Sequence, residues 1–200
     1  MPSPVPPSRL VVVRHGATAW SLSGRHTGRT DLPLEPPGEA QARGLAARLA
    51  GHRFAAVLVS PLRRARQTCD LAGFGDGAEV VPGLAEWDYG DYEGRTSAEI
   101  RAERPGWSLW RDGVPAGETI GDVCRRADEV VKLARGHGGD VLAFGSGHIL
   151  RVVAARWLGL DPSFGGSLAL GAGALGVLGW EHEEPALVRW NDDGEDPLST

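Results

Sequence analysis

A histidine preceded by an arginine and followed by a glycine stands at Arg14-His15-Gly16, where the apolar run Leu10 to Val13 stops. Two more apolar runs stop at polar turns. Ala55 to Val59 is followed by Ser60-Pro61 and then Arg63-Arg64, and Val141 to Phe144 by Gly145-Ser146-Gly147-His148. An imidazole at a strand end can attack phosphorus and carry the phosphoryl group, which divides one hard step into two. That chemistry needs a cationic cage, because phosphoryl transfer is governed chiefly by positioning and electrostatic stabilisation. Arg14 and Arg64 are the candidates, since guanidinium forks match phosphate oxygens. It also needs a proton for the leaving alkoxide, and a carboxylic acid such as Glu86 can give it. Taken alone, the tripeptide also suits a loop histidine flanked by solvated arginines.

The elements that would position these residues read as strands and helices in alternation. The three apolar, β-branched runs have the length and composition of buried strands. Ala42, Leu45, Ala46 and Leu49 recur at the offsets of an amphipathic helix. Ser60 with Pro61 behind it predicts a capped start for the next helix. Ile120, Val123, Cys124, Ala127, Val131 and Ala134 mark a longer helix ending near Gly136, and Leu150, Val153, Ala154 and Trp157 mark another ending at Gly159. Leu168 to Trp190 reads as two strands, an antiparallel pair at one edge. The pattern predicts an α/β fold: three-layer α/β/α, a mostly parallel central sheet with an antiparallel edge. In such sheets ligands bind at the carboxyl ends of the strands. The three polar turns lie there.

Size and charge bound the rest. A chain of 200 residues suits one domain, here residues 9–191 between a proline-rich tail (1–8) and an acidic tail (192–200). A net charge of −5 disfavours nucleic acid as a partner, so an anion site must be built locally from a few arginines. No segment is apolar enough to cross a membrane, and the start lacks the pattern of a signal peptide. Cys69 and Cys124 are too few for a disulfide framework, and a reduced, cytoplasmic setting is expected. Cys69 falls on a helical run as a core residue. No metal-ligand set and no cofactor motif is read. The expected partner is a small phosphorylated metabolite, and self-association as a homo-oligomer is left open.

Three blocks then resemble those of the histidine phosphatase (phosphoglycerate mutase-like) superfamily. Leu10 to Thr18 resembles its strand plus Arg-His-Gly signature. Ser60-Pro61-Leu62-Arg63-Arg64-Ala65-Arg66-Gln67-Thr68 resembles the block whose arginine before the alanine binds phosphate, here Arg64. Leu84 to Gly94 resembles the block with the acid/base glutamate, here Glu86. The resemblance covers about residues 9 to 191 and implies that fold, a metal-independent phosphatase and a phosphohistidine on His15. Trp20 to Leu34, Glu86 to Gly94, and Trp110-Arg111-Asp112-Gly113 with Gly117-Glu118-Thr119 look most like the sedoheptulose-1,7-bisphosphatase-like members, which act on sugar phosphates. By that resemblance Ser21 and Thr27 line the phosphate pocket, and Trp87, Trp107 and Trp110 lie over the site. Ala17 and Ser21 stand where the mutases usually carry an acidic residue and an asparagine, which disfavours mutase activity.

One position departs from the pattern. The subgroup carries Phe-x-His-Gly-His-x-Leu-Arg, whose first histidine donates to the transferring phosphoryl group. Here Phe144-Gly145-Ser146-Gly147-His148-Ile149-Leu150-Arg151 puts Ser146 in that place and His148 at the other histidine. Three accounts stand: an engineered replacement, a natural neutral donor with altered or weakened chemistry, or His148 acting in its stead. Serine donates one hydrogen bond but carries no charge. A phospho-ligand binding protein therefore remains the alternative to an active phosphatase. Gly171 to Gly176 matches a dinucleotide-binding pattern but is followed by a strand-like run, so it is set aside. His26, close after the nucleophile segment, is a loop residue that could face substrate.

Overall fold

The computed structural model describes residues 8–194. Side chains alternate across strand β1 (Leu10–Arg14), sending Leu10 and Val12 to one face and Val11 and Val13 to the other. Both faces are covered. Strands β2 (Ala56–Val59), β3 (Glu79–Val80) and β4 (Val141–Gly145) lie parallel to β1, and β5 (Leu175–Glu181) and β6 (Glu184–Asp192) complete an antiparallel edge. The sheet order is β3-β2-β4-β1-β5-β6.

Seven α-helices connect them among the described residues: α1 (Ala19–Leu22), α2 (Pro36–Leu49), α3 (Arg63–Leu71), α4 (Ser97–Glu103), α5 (Leu109–Asp112), α6 (Ile120–Gly136) and α7 (Gly147–Trp157). Leu45 and Leu49 of α2 and Ala65 and Cys69 of α3 pack on Val11, Val13, Leu142 and Phe144. Val123 and Ala127 of α6 and Val152 and Val153 of α7 pack on Leu10, Val12, Val141 and Ala143. The result is the three-layer arrangement expected from the alternation. Burying Val12, Leu142 and Phe144 completely contributes about 1.5–3 kcal/mol per side chain.

Some boundaries differ from the sequence reading. Helix α3 does not begin at a Ser60 cap. Ser60 and Pro61 form a turn, Leu62 is the cap residue, and the Arg63 N–H donates instead to Asp31 Oδ1 at 2.7 Å. Strand β6 runs into the segment read as an acidic tail, because Asp192 pairs with Arg48 (2.7 Å) and Arg189 (2.5 Å). The rest of that tail beyond Gly194, and residues 1–7 of the proline-rich one, lie outside the described residues. Ser8 is tied down, its carbonyl accepting from Trp180 Nε1 at 3.0 Å. Trp87 and Trp107 are core residues. No helix among the described residues is long and apolar enough to cross a membrane.

Candidate active site

The hydrogen-bond ladder runs one residue past each central strand. His15 N–H donates to Gly145 O and Ser60 N–H to Phe144 O, both at 2.9 Å. His15 thereby lies beside Ser146, one step beyond the Arg14–Gly145 pair. The turn after His15 is fixed by close backbone contact. A Cβ on Gly16 would lie 2.2 Å from Gly38 O, and one on Gly38 would lie 2.2 Å from Ala17 O, so the loop rests directly on the first turn of α2. Thr68 Oγ1 accepts from Gly16 N–H (3.0 Å) and donates to Arg64 O (2.7 Å). From the other side, Gly173 N–H donates to His15 O at 3.0 Å. The glycine-rich 171–176 run is therefore a buttress for the Arg14-His15 pair.

His15 is 4% exposed, and its Nδ1 lies 2.8 Å from Gly16 O. In a neutral ring Nδ1–H donates there and leaves the Nε2 lone pair free. Burial, then the positive charges of Arg14 and Arg64, pull its pKa down to about 3. The ring is thus neutral throughout the physiological range. A titration of the His15 ring by NMR is expected to stay flat from about pH 8 to about pH 4; a midpoint near 6.5 would contradict this environment. The sign for stability follows. The unfolded chain takes up this proton below pH 6.5 and the folded chain only near 3, so folding weakens as pH falls through that window, by about 1.4 kcal/mol per unit for this group.

Arg64 is wholly buried, donating from Nη1 to Thr30 O (3.0 Å) and from Nη2 to Thr27 O (2.9 Å) and Gly28 O (3.1 Å). Arg14 donates from Nη1 to Leu170 O at 2.6 Å. Ser146 is wholly buried. Among the described residues, four buried side-chain nitrogen or oxygen atoms lack a hydrogen-bond partner, and three of them are Arg14 Nε, Arg64 Nε and Ser146 Oγ. Each unmade bond costs about 1–3 kcal/mol. A tetrahedral oxyanion supplies the acceptors that these donors lack.

Glu86 completes the cluster. Its Oε1 accepts from Trp87 N–H and Ile149 N–H, and its Oε2 from His148 N–H, each at 2.9 Å. Two of these donors lie in the first turn of α7, where the helix dipole favours an anion. Burial pushes the carboxyl up, but the His148 side chain and the backbone donors outweigh it and hold it well below the usual carboxylate range. The loop carrying Glu86 is stapled from α6 and its cap region. Glu118 bonds Arg126 (2.8 and 2.7 Å) and accepts from Asp88 N–H (2.9 Å), while Arg126 Nη1 donates to Gly83 O and Ala85 O, each at 2.8 Å.

A pocket of about 210 Å³ opens over these groups, small enough to suit a compact ester. Arg14, His15, Ser21, Thr27, Glu86 and His148 all line it. Arg64 and Ser146 are buried beside His15 rather than on the wall. Trp110 is not on the wall either. It stands behind His148 (ring centroids 5.5 Å apart) and beneath the Arg151 guanidinium (4.8 Å). His26 does face the pocket. Arg25, Tyr89 and Arg151 also line it and were assigned no role from sequence. For Arg151 a signal was present: it lies three residues after His148, which is one helical turn.

The histidine phosphatase superfamily (branch 1) model matches residues 10–193. The chain belongs to this superfamily. An acid phosphatase from Mycobacterium tuberculosis is 44% identical over 179 residues, 87% of each chain. A sedoheptulose 1,7-bisphosphatase from Saccharomyces cerevisiae is 38% identical over 193 residues, covering 80% of this chain and 70% of the yeast protein. The solved structure of open reading frame Rv3214 from Mycobacterium tuberculosis superposes with a TM-score of 0.87 at 42% identity, over 92% of this chain and 97% of that one. A histidine phosphatase fold is what the resemblance of the three motif blocks had implied.

Proposed function

We propose that this histidine phosphatase hydrolyses small phosphomonoesters, sugar phosphates among them, through a phosphohistidine on His15. The observation that carries the reading is the trio of unpaired buried donors, Arg14 Nε, Arg64 Nε and Ser146 Oγ, set around a buried neutral imidazole. His15 Nε2 attacks phosphorus, the bond from phosphorus to the ester oxygen breaks, and the leaving oxygen takes a proton at the Glu86 corner of the pocket. Water then attacks the phosphohistidine, the nitrogen–phosphorus bond breaks, and the water's proton returns to that corner as inorganic phosphate leaves. Arg14 and Arg64 bind the phosphoryl oxygens throughout. The relatives' names, an acid phosphatase and a sugar bisphosphatase, support a sugar phosphate as substrate. A nucleophile that stays neutral down to about pH 3 suits work at acidic pH.

Ser146 supplies a neutral donor where the family pattern has an imidazole. This favours, as the second reading, a phospho-ligand binder with weakened hydrolysis. The test is phosphate release from p-nitrophenyl phosphate and a sugar phosphate panel, by this protein and its Ser146→His variant side by side. The wild-type protein is expected to turn over with or without EDTA. The variant is expected to gain about 10²- to 10³-fold in kcat, the usual value of one transition-state donor. If neither protein released phosphate, the binding reading would replace the catalytic one.

A further inference from the structure

The proton source needs a closer assignment. Both Glu86 oxygens are occupied by backbone N–H donors, which hold the group as an anion, and such an anion is a poor place to store a proton. His148 stands next to it. Its Nδ1 is 3.7 Å from Glu86 Oε2 and 2.6 Å from the Tyr89 hydroxyl. Tyr89 is buried and its phenol is pushed well up, so it stays neutral; its oxygen accepts from Nδ1–H, which leaves Nε2 to lose and regain a proton. The ring is held in place by Tyr89 (5.7 Å, edge-on), His26 (6.2 Å, stacked) and Trp110. The charged and titratable groups that line the pocket with it are Glu86 and Tyr89 from the 86–89 loop, Arg25 and His26 from the segment after α1, Arg14 and His15 at the end of β1, and Arg151 one turn along α7. His26 is biased toward its neutral form by burial, with its Nδ1 on Arg95 O at 2.7 Å. The ring's hydrogen bond to Tyr89 is made through Nδ1, and the residue lines the pocket.

We infer that His148 Nε2 delivers the proton to the leaving oxygen and takes one back from the attacking water, with Glu86 as its fixed counter-ion and Tyr89 as its clamp. The inference rests on the reading that His15 is the phosphoryl carrier. In the first step the imidazolium loses its Nε2 proton to the ester oxygen as that oxygen parts from phosphorus. In the second, the neutral ring takes the proton of the water that displaces His15, so His148 ends as it began. An imidazole suits both halves because it gains and loses a proton near neutral pH. The site that carries a hydroxyl at position 146 keeps an acid of this kind two residues on.

The test compares kcat/KM, which reports the phosphorylation step, for p-nitrophenyl phosphate and glycerol 1-phosphate. The aryl ester has a good leaving group and needs little proton assistance; the alkyl ester needs it fully. His148→Asn is expected to lose about 10²- to 10⁴-fold on the alkyl ester and less than about tenfold on the aryl ester. Equal losses in the variant on the two esters would overturn the assignment and leave the phosphohistidine reading in place. No turnover of either ester by the wild-type protein would overturn both.

Discussion

His15→Gln is expected to abolish turnover while leaving phosphate binding nearly intact. The substitution keeps bulk in a buried site and removes the only atom proposed to bond phosphorus. Loss of a covalent nucleophile leaves only binding and electrostatic stabilisation, so the fall in kcat should be on the order of 10⁴-fold or more. Arg14, Arg64 and Ser146 remain, and with them the unpaired donors proposed to bind the anion. Inorganic phosphate or vanadate should therefore bind within about tenfold of wild type, or 1.4 kcal/mol, by calorimetry. Turnover within about a hundredfold of wild type would mean that another group attacks phosphorus.

Arg64→Ala is the second large effect, and it should strike stability and catalysis together. The guanidinium bridges three carbonyls of the 27–30 segment, and its buried Nε is left without a partner. Removing it leaves buried acceptors without donors at about 1–3 kcal/mol apiece, so a loss of about 3 kcal/mol in unfolding free energy is expected from denaturant melts. Catalysis should fall by about 10²- to 10³-fold, the value of one charged transition-state donor. Arg64→Lys should recover little of either, because an ammonium cannot form the fork to Thr27, Gly28 and Thr30. A lysine variant with nearly full activity would show that charge alone suffices there.

Much of this was legible before the fold was seen. The continuous apolar run Leu10 to Val13 marks a strand buried on both faces, and its abrupt end at Arg14-His15 marks a carboxyl strand end. The resemblance then located Arg64 and Glu86 by their neighbours. The helix start at Ser60 was misread because the cap comes from Asp31, some thirty residues away, which no local pattern reveals. Trp110 was taken for a surface over substrate. It lies instead against Gly165 and Gly166, where a Cβ would come within 3.0 Å of its ring, and this packing depends on a distant loop. Tyr89 had been quoted within a motif without a role, since its bond to His148 joins residues 59 apart. The pull that holds the Glu86 carboxyl below the usual carboxylate range was hidden for the same reason: two of its three backbone donors come from α7.

The most direct test of the central claim is to mix the protein rapidly with p-nitrophenyl phosphate, quench in alkali and map the phosphorylated residue by mass spectrometry. The account predicts a phosphoryl group on the His15 ring, stable to base, lost in acid and absent from His15→Gln. Phosphate released with no phosphoryl-protein at any time, or a phosphoryl group on Ser146 or another residue, would contradict it.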